Sequence, residues 1–131
     1  MKTDWIERKV TYSAKKHLRS YKGAFNGIII ALRYELNFQI ELFLMVLVLI
    51  AGFIFPITKT EWIVIILCIG ITLSVELMNT SIETLGEFKR FHAIIKKIKD
   101  LSAGAVLVIT IMDVIIAFMI FFPYILEYLP Q

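Results

Sequence analysis

The residues able to do chemistry cluster in one stretch, VELMNTSIETLGEF, from Val75 to Phe88. Glu76, Asn79, Glu83 and Glu87 follow directly on the uncharged run from Trp62 to Val75. At about 100° per residue, Glu76, Asn79, Thr80, Glu83 and Glu87 share a helix arc of roughly 100°, with Thr72 one turn earlier. Val75, Leu77, Met78, Ile82 and Leu85 point elsewhere, leaving an apolar helix with a single polar seam. Such a seam is costly in lipid. An acidic residue at mid-bilayer costs on the order of 2.5–3.5 kcal/mol, and less near the interface. Glu76 and Glu83 lie about 10 Å apart along the axis, so their repulsion adds roughly 1–2 kcal/mol.

A divalent cation would offset both costs. Mg²⁺ suits a site of one or two protein carboxylates, with water and phosphate oxygens completing its shell. A solvated helix end accounts for Glu87 equally well. Glu76, arriving straight after an uncharged run, argues for a site. A second polar group, Lys96-Lys97-Ile98-Lys99-Asp100, precedes the last apolar run. Lys96 and Lys97 read as headgroup anchors. Lys99-Asp100 opens onto LSAGAVL, whose small residues Ser102 to Ala105 permit close helix approach, and this junction is expected to face the Glu76–Glu83 end.

Three apolar runs must position these groups. The hydrophobic content of 59% over 131 residues, with mean hydropathy +0.79, reads as a membrane protein of one domain spanning 1–131. The predicted spans are 40–57, 62–85 and 101–122, each near the roughly 20 residues a crossing helix needs. The first gains that length by including Phe38 to Glu41, the second by including Glu76 and Asn79. Residues 1–39 are expected on the cytoplasmic surface as two helices, Trp5 to Arg19 and Lys22 to Gln39. The latter has Ala24, Phe25, Ile28, Ile29, Leu32 and Leu36 at helical spacing. Gly23 and Gly27 are spaced as in a helix-packing motif. No strand alternation or repeat interrupts the pattern, so the fold class is all-α.

Charge sets the orientation. Of the 14 Lys and Arg, eight fall within 1–40, Lys59 stands alone between the first two runs, and five lie from Lys89 to Lys99. The positive-inside rule then places the N-terminus and the Lys89–Lys99 segment in the cytoplasm, with the Lys59 turn and Tyr124 to Gln131 outside. Trp62 and Tyr124 suit the outer interface. The same asymmetry argues against a nucleic-acid partner. The first forty residues carry too many charges for a cleavable signal peptide, so insertion through the internal segments is expected. Cys68, the one cysteine, excludes an intrachain disulfide and reads as packing. His17 and His92 lie in basic segments and read as headgroup residues. No Walker-type or dinucleotide glycine fingerprint is present.

Glu76-Leu-Met-Asn79-Thr-Ser-Ile-Glu83 followed by Lys99-Asp100-Leu-Ser-Ala-Gly-Ala-Val-Leu resembles the signature of the prokaryotic diacylglycerol kinase and undecaprenol kinase family. The likeness extends to Ser20–Gly27 and to Glu35-Leu-Asn-Phe38. It implies a homotrimeric integral-membrane kinase of three spans and an N-terminal surface helix, in the bacterial cytoplasmic membrane with its active site facing the cytoplasm. ATP and Mg²⁺ would serve it, and a membrane lipid alcohol would be the acceptor. Carried over by position, Glu76 is the general base and Asn79 lines the transfer site. Glu35 and Glu83 hold the metal, while Lys99 and Asp100 contact phosphate and nucleoside. Glu41 matches an acidic position of the diacylglycerol branch. The Glu35-Leu-Asn-Phe segment and the long N-terminal arm look more like the undecaprenol branch, which is slightly favoured.

Two departures stand out. Gly86-Glu87 occupies the place of a family Val-Asp, so a nucleotide contact at Glu87 keeps its charge on a longer side chain. Tyr12 stands where an arginine is common, with Lys15, Lys16 and Arg19 nearby. Asp113, mid-way along the third span, lies outside the signature and reads as a polar contact at an oligomer interface. A non-enzymatic scaffold or carrier, or an inactive kinase, is the alternative. A carrier would spread its polar residues through the bilayer, whereas here they gather at one end.

Overall fold

A computed structural model of the protein describes residues 4–87 and 93–128, with side chains from residue 16 onward except 17 and 18. Lys89, Arg90 and His92, and the side chains of Tyr12, Lys15 and His17, lie outside the described residues. Four helices make up the described chain: α1 (Asp4–Tyr34), α2 (Leu36–Ile54), α3 (Lys59–Glu87) and α4 (Ala93–Tyr128). It divides into two compact units, residues 1–35 and 36–131. The first unit is a single helix of 31 residues where two were expected. Nothing between Arg19 and Lys22 breaks a helix, and the Ser20 hydroxyl bonds back to the Lys16 carbonyl within it. The break comes at Glu35, whose N–H still reaches the Ala31 carbonyl at 3.1 Å. α2 therefore begins at Leu36, before the expected start of the span.

The second unit holds three helices long and apolar enough to cross a membrane. α2, at 19 residues, is about 28 Å long, close to the thickness of a bilayer's hydrocarbon core. Phe55-Pro56 ends it, and Thr58 starts α3 with a capping box. The Thr58 Oγ1 accepts from the Glu61 N–H at 3.3 Å, while Glu61 Oε2 accepts from the Thr58 N–H at 2.6 Å. The T-x-x-E spacing thus closes two of the N–H groups that a helix start leaves open.

α4 runs for 36 residues, beyond the expected 101–122 at both ends. Lys96 to Asp100 are helical because no glycine or proline interrupts Ala93 to Ser102. At the other end the helix continues through Pro123 to Tyr128, although proline removes one backbone bond. Side chains hold that last stretch: Tyr124 Oη donates to Glu61 Oε2 at 2.9 Å, and the Phe55 ring meets Phe121, Tyr124 and Tyr128.

α3 is the central helix, packing on α4 along its length and on α2. The pairs Glu61–Tyr124, Thr72–Asp113 and Gly86–Lys99 keep one antiparallel register from end to end. Near the capping box, Gly52 lets the Trp62 indole lie on α2; a β-carbon there would sit 2.9 Å from the ring. The apolar core is small, built on Ile65, Ile120 and Phe121. Large apolar side chains such as Phe53, Leu107 and Met119 face outward, as a lipid-exposed surface allows. Ser74, Ser81, Thr84 and Thr110 satisfy their hydroxyls on carbonyls four residues earlier in their own helices.

Candidate active site

The polar seam of α3 faces the packed interior. Thr72, Glu76 and Asn79 are 2%, 1% and 3% exposed, which makes them more buried than most of the apolar residues around them. Glu83 is half-buried and Glu87 is exposed, so the seam runs from the packed interior out to the helix end. Helical phase explains this order. Residues 72, 76, 79, 83 and 86 recur every three or four positions and so share one face of α3; Thr72 meets Asp113 and Gly86 meets Lys99 of α4.

Asn79 Nδ2 donates to Glu83 Oε1 at 3.3 Å, one turn along. Its Oδ1 is buried with no hydrogen-bond partner among the described residues. An orphaned amide oxygen costs about 1–3 kcal/mol where water cannot reach it, a cost that a hydrogen-bond donor or a cation beside it would offset. Together with the Glu83 carboxylate it presents only oxygen, the donor set that a hard divalent cation takes. No three His, Cys, Asp or Glu side chains gather as a metal cage among the described residues. The residues present therefore fit a Mg²⁺ ion that draws the rest of its shell from water and phosphate.

Lys99 lies against the far end of the seam. Its stem packs at Gly86, three residues beyond Glu83, and the side chain is half-buried while Lys96, Lys97 and Asp100 are exposed. Glu35 belongs to the N-terminal unit, immediately after α1, and is half-buried.

Two features of this region were not legible in the sequence. Asp113 Oδ2 accepts a 2.6 Å hydrogen bond from Thr72 Oγ1, so the mid-span aspartate has a partner within its own chain rather than only at an oligomer interface. Helix α4 would have to be placed against α3 before that pairing could be read. The second is a cavity of about 300 Å³ between α2, α3 and α4, apolar along most of its wall and lined at its polar part by Glu41, Cys68, Thr72, Thr110 and Asp113. Cys68 is a free thiol at this wall. Gly104, within the small-residue run of α4, has nothing of the described chain within 4 Å of a β-carbon.

The profile of the prokaryotic diacylglycerol kinase family matches residues 22–121, which contain the seam, Glu35, Lys99 and Asp100. The chain is 37% identical over 110 residues to the undecaprenol kinase of Bacillus subtilis, covering 82% of this chain and 89% of that protein. It is 29% identical over 113 residues to a diacylglycerol kinase of Synechocystis, covering 84% of this chain and 65% of that longer protein. The protein is a membrane protein and a lipid phosphotransferase: it belongs to the prokaryotic diacylglycerol kinase family.

Proposed function

We propose that the protein transfers the γ-phosphate of ATP to the hydroxyl of a membrane lipid alcohol, with undecaprenol slightly preferred to diacylglycerol. The observation that carries this reading is the burial of Glu76 and Asn79 on one face of α3, at the end that Lys99 reaches. Burying a carboxylate and an amide inside an apolar helix bundle is costly, and ionisable groups within membrane spans mark functional sites. The higher identity and fuller coverage of the undecaprenol kinase relative support that acceptor.

Phosphoryl transfer needs positioning and charge neutralisation more than covalent help from the protein. Glu76 takes the proton from the acceptor hydroxyl, and its burial keeps competing water from the reacting phosphate. Asn79 orients groups at the transfer site through its free Oδ1 and steadies Glu83 through Nδ2. Glu83 would hold Mg²⁺, which when bound would neutralise phosphate charge; the family resemblance alone supports Glu35 as a further carboxylate for the ion. Lys99 meets a phosphate, Asp100 the nucleoside, and Glu87 at the exposed end of α3 serves the nucleotide side.

The working form under this proposal is a homotrimer in the bacterial cytoplasmic membrane, residues 1–131 forming one kinase domain with its seam on the cytoplasmic side. The basic segments at residues 1–40 and 89–99 support that orientation. Purified protein in detergent–lipid micelles, given labelled ATP and Mg²⁺ with equal mole fractions of undecaprenol and diacylglycerol, tests the acceptor. Label should enter undecaprenol faster; preferential labelling of diacylglycerol would reverse the assignment.

A further inference from the structure

Gly86 is buried at the end of the seam, where a glycine is not required by the backbone. Its φ is not positive, so a side chain could be carried there without strain. What excludes a side chain is a neighbour. A β-carbon at Gly86 would lie 2.9 Å from Lys99 Cδ, 3.3 Å from Lys99 Cγ and 3.2 Å from Ile95 Cγ2. Carbon atoms pack comfortably at about 3.5–4.0 Å, so the space left by the missing side chain is taken by the lysine stem. Lys96 and Lys97, three and two residues earlier on α4, are exposed, whereas Lys99 is half-buried.

We propose that Gly86 is a positioning residue for Lys99, setting the direction in which its ammonium leaves the α3–α4 pair. A lysine stem has many rotamers, and without a seat its ammonium would sample many directions. The seat at Gly86 holds the first part of that stem, so less freedom is lost when the ammonium meets a nucleotide phosphate. The inference rests on the kinase reading, in which Lys99 contacts ATP. A larger residue at 86 would displace the flexible stem before it displaced either helix, so the loss should appear in nucleotide binding rather than in folding.

The test measures Mg-ATP binding, KM, kcat and thermal midpoint for the full-length wild type, Gly86→Ala, Lys99→Met and the double variant. Gly86→Ala should weaken Mg-ATP binding and raise KM for ATP about tenfold, the order of one charge-assisted hydrogen bond. Its kcat and thermal midpoint should stay close to wild type. In the Lys99→Met background, Gly86→Ala should cause no further loss of binding. Wild-type binding by Gly86→Ala would overturn the proposal, as would losses that simply multiply in the double variant. A Gly86→Ala protein that no longer folds would also overturn it, because the seat would then hold the helices rather than the lysine. Wild-type protein that transfers no phosphate would overturn the kinase reading itself, an outcome distinct from the others.

Discussion

Thr72 and Asp113 face each other across α3 and α4 and share a 2.6 Å hydrogen bond one turn from Glu76. It lies mid-way between the Glu61–Tyr124 contact at one end of the helix pair and the Gly86–Lys99 contact at the other. A carboxyl acceptor and a hydroxyl donor within an apolar span fix register, because sliding either helix by one residue would separate the two groups.

Breaking that pair should therefore destabilise the helix bundle. Thr72→Val removes the hydroxyl donor to the aspartate, at a cost of about 1–2 kcal/mol. Asp113→Leu in the Thr72→Val background should recover part of the loss, since an apolar pair belongs in a span. Unfolding by sodium dodecyl sulfate in mixed micelles measures both. A double variant less stable than Thr72→Val would contradict the pairing.

Further along the seam, Asn79 and Glu83 should act together. Glu83→Gln weakens the hold on a divalent cation, so half-maximal activity should need about tenfold more Mg²⁺. Asn79→Ala should shift the same titration in the same direction, because Glu83 loses its amide partner. An unchanged Mg²⁺ dependence in both variants would remove these residues from the metal site.

The opposite end of the bundle should matter for stability alone. Thr58→Ala opens the capping box of α3 at a cost of about 1 kcal/mol. Tyr124→Phe, which loses the bond to Glu61, should lower stability in the same direction. Both should leave KM for ATP at the wild-type value, measured in the lipid kinase assay. A raised KM would show that this end communicates with the nucleotide.

The sequence carried the helical class, the three apolar helices and the phase of the seam, because charge in an apolar run and a 3.6-residue period are local signals. Helical phase alone puts Thr72, Glu76 and Asn79 on one face, and they are the buried polar residues of α3. Helix ends were less legible. Lys96 to Asp100 looked like a basic connection, yet their intrinsic propensity carries α4 through them. α4 also persists through Pro123, because Phe55 and Glu61 hold its last turns from outside the helix. Long-range pairs were the least legible. Gly86 looked like a departure from a family pattern, and only the antiparallel register shows that Lys99 fills its space.

The rate of phosphate transfer by Glu76→Gln, set beside its nucleotide binding, tests the central claim most directly. The variant keeps the size of the side chain but exchanges one acceptor oxygen for an amide N–H donor and cannot take up the acceptor's proton. Transfer from labelled ATP to the lipid alcohol should fall by a factor on the order of 10²–10⁴, while Mg-ATP binds about as tightly as to wild type. Transfer at the wild-type rate would show that the buried carboxylate of α3 is not the base, and the account of the seam as a catalytic face would fail.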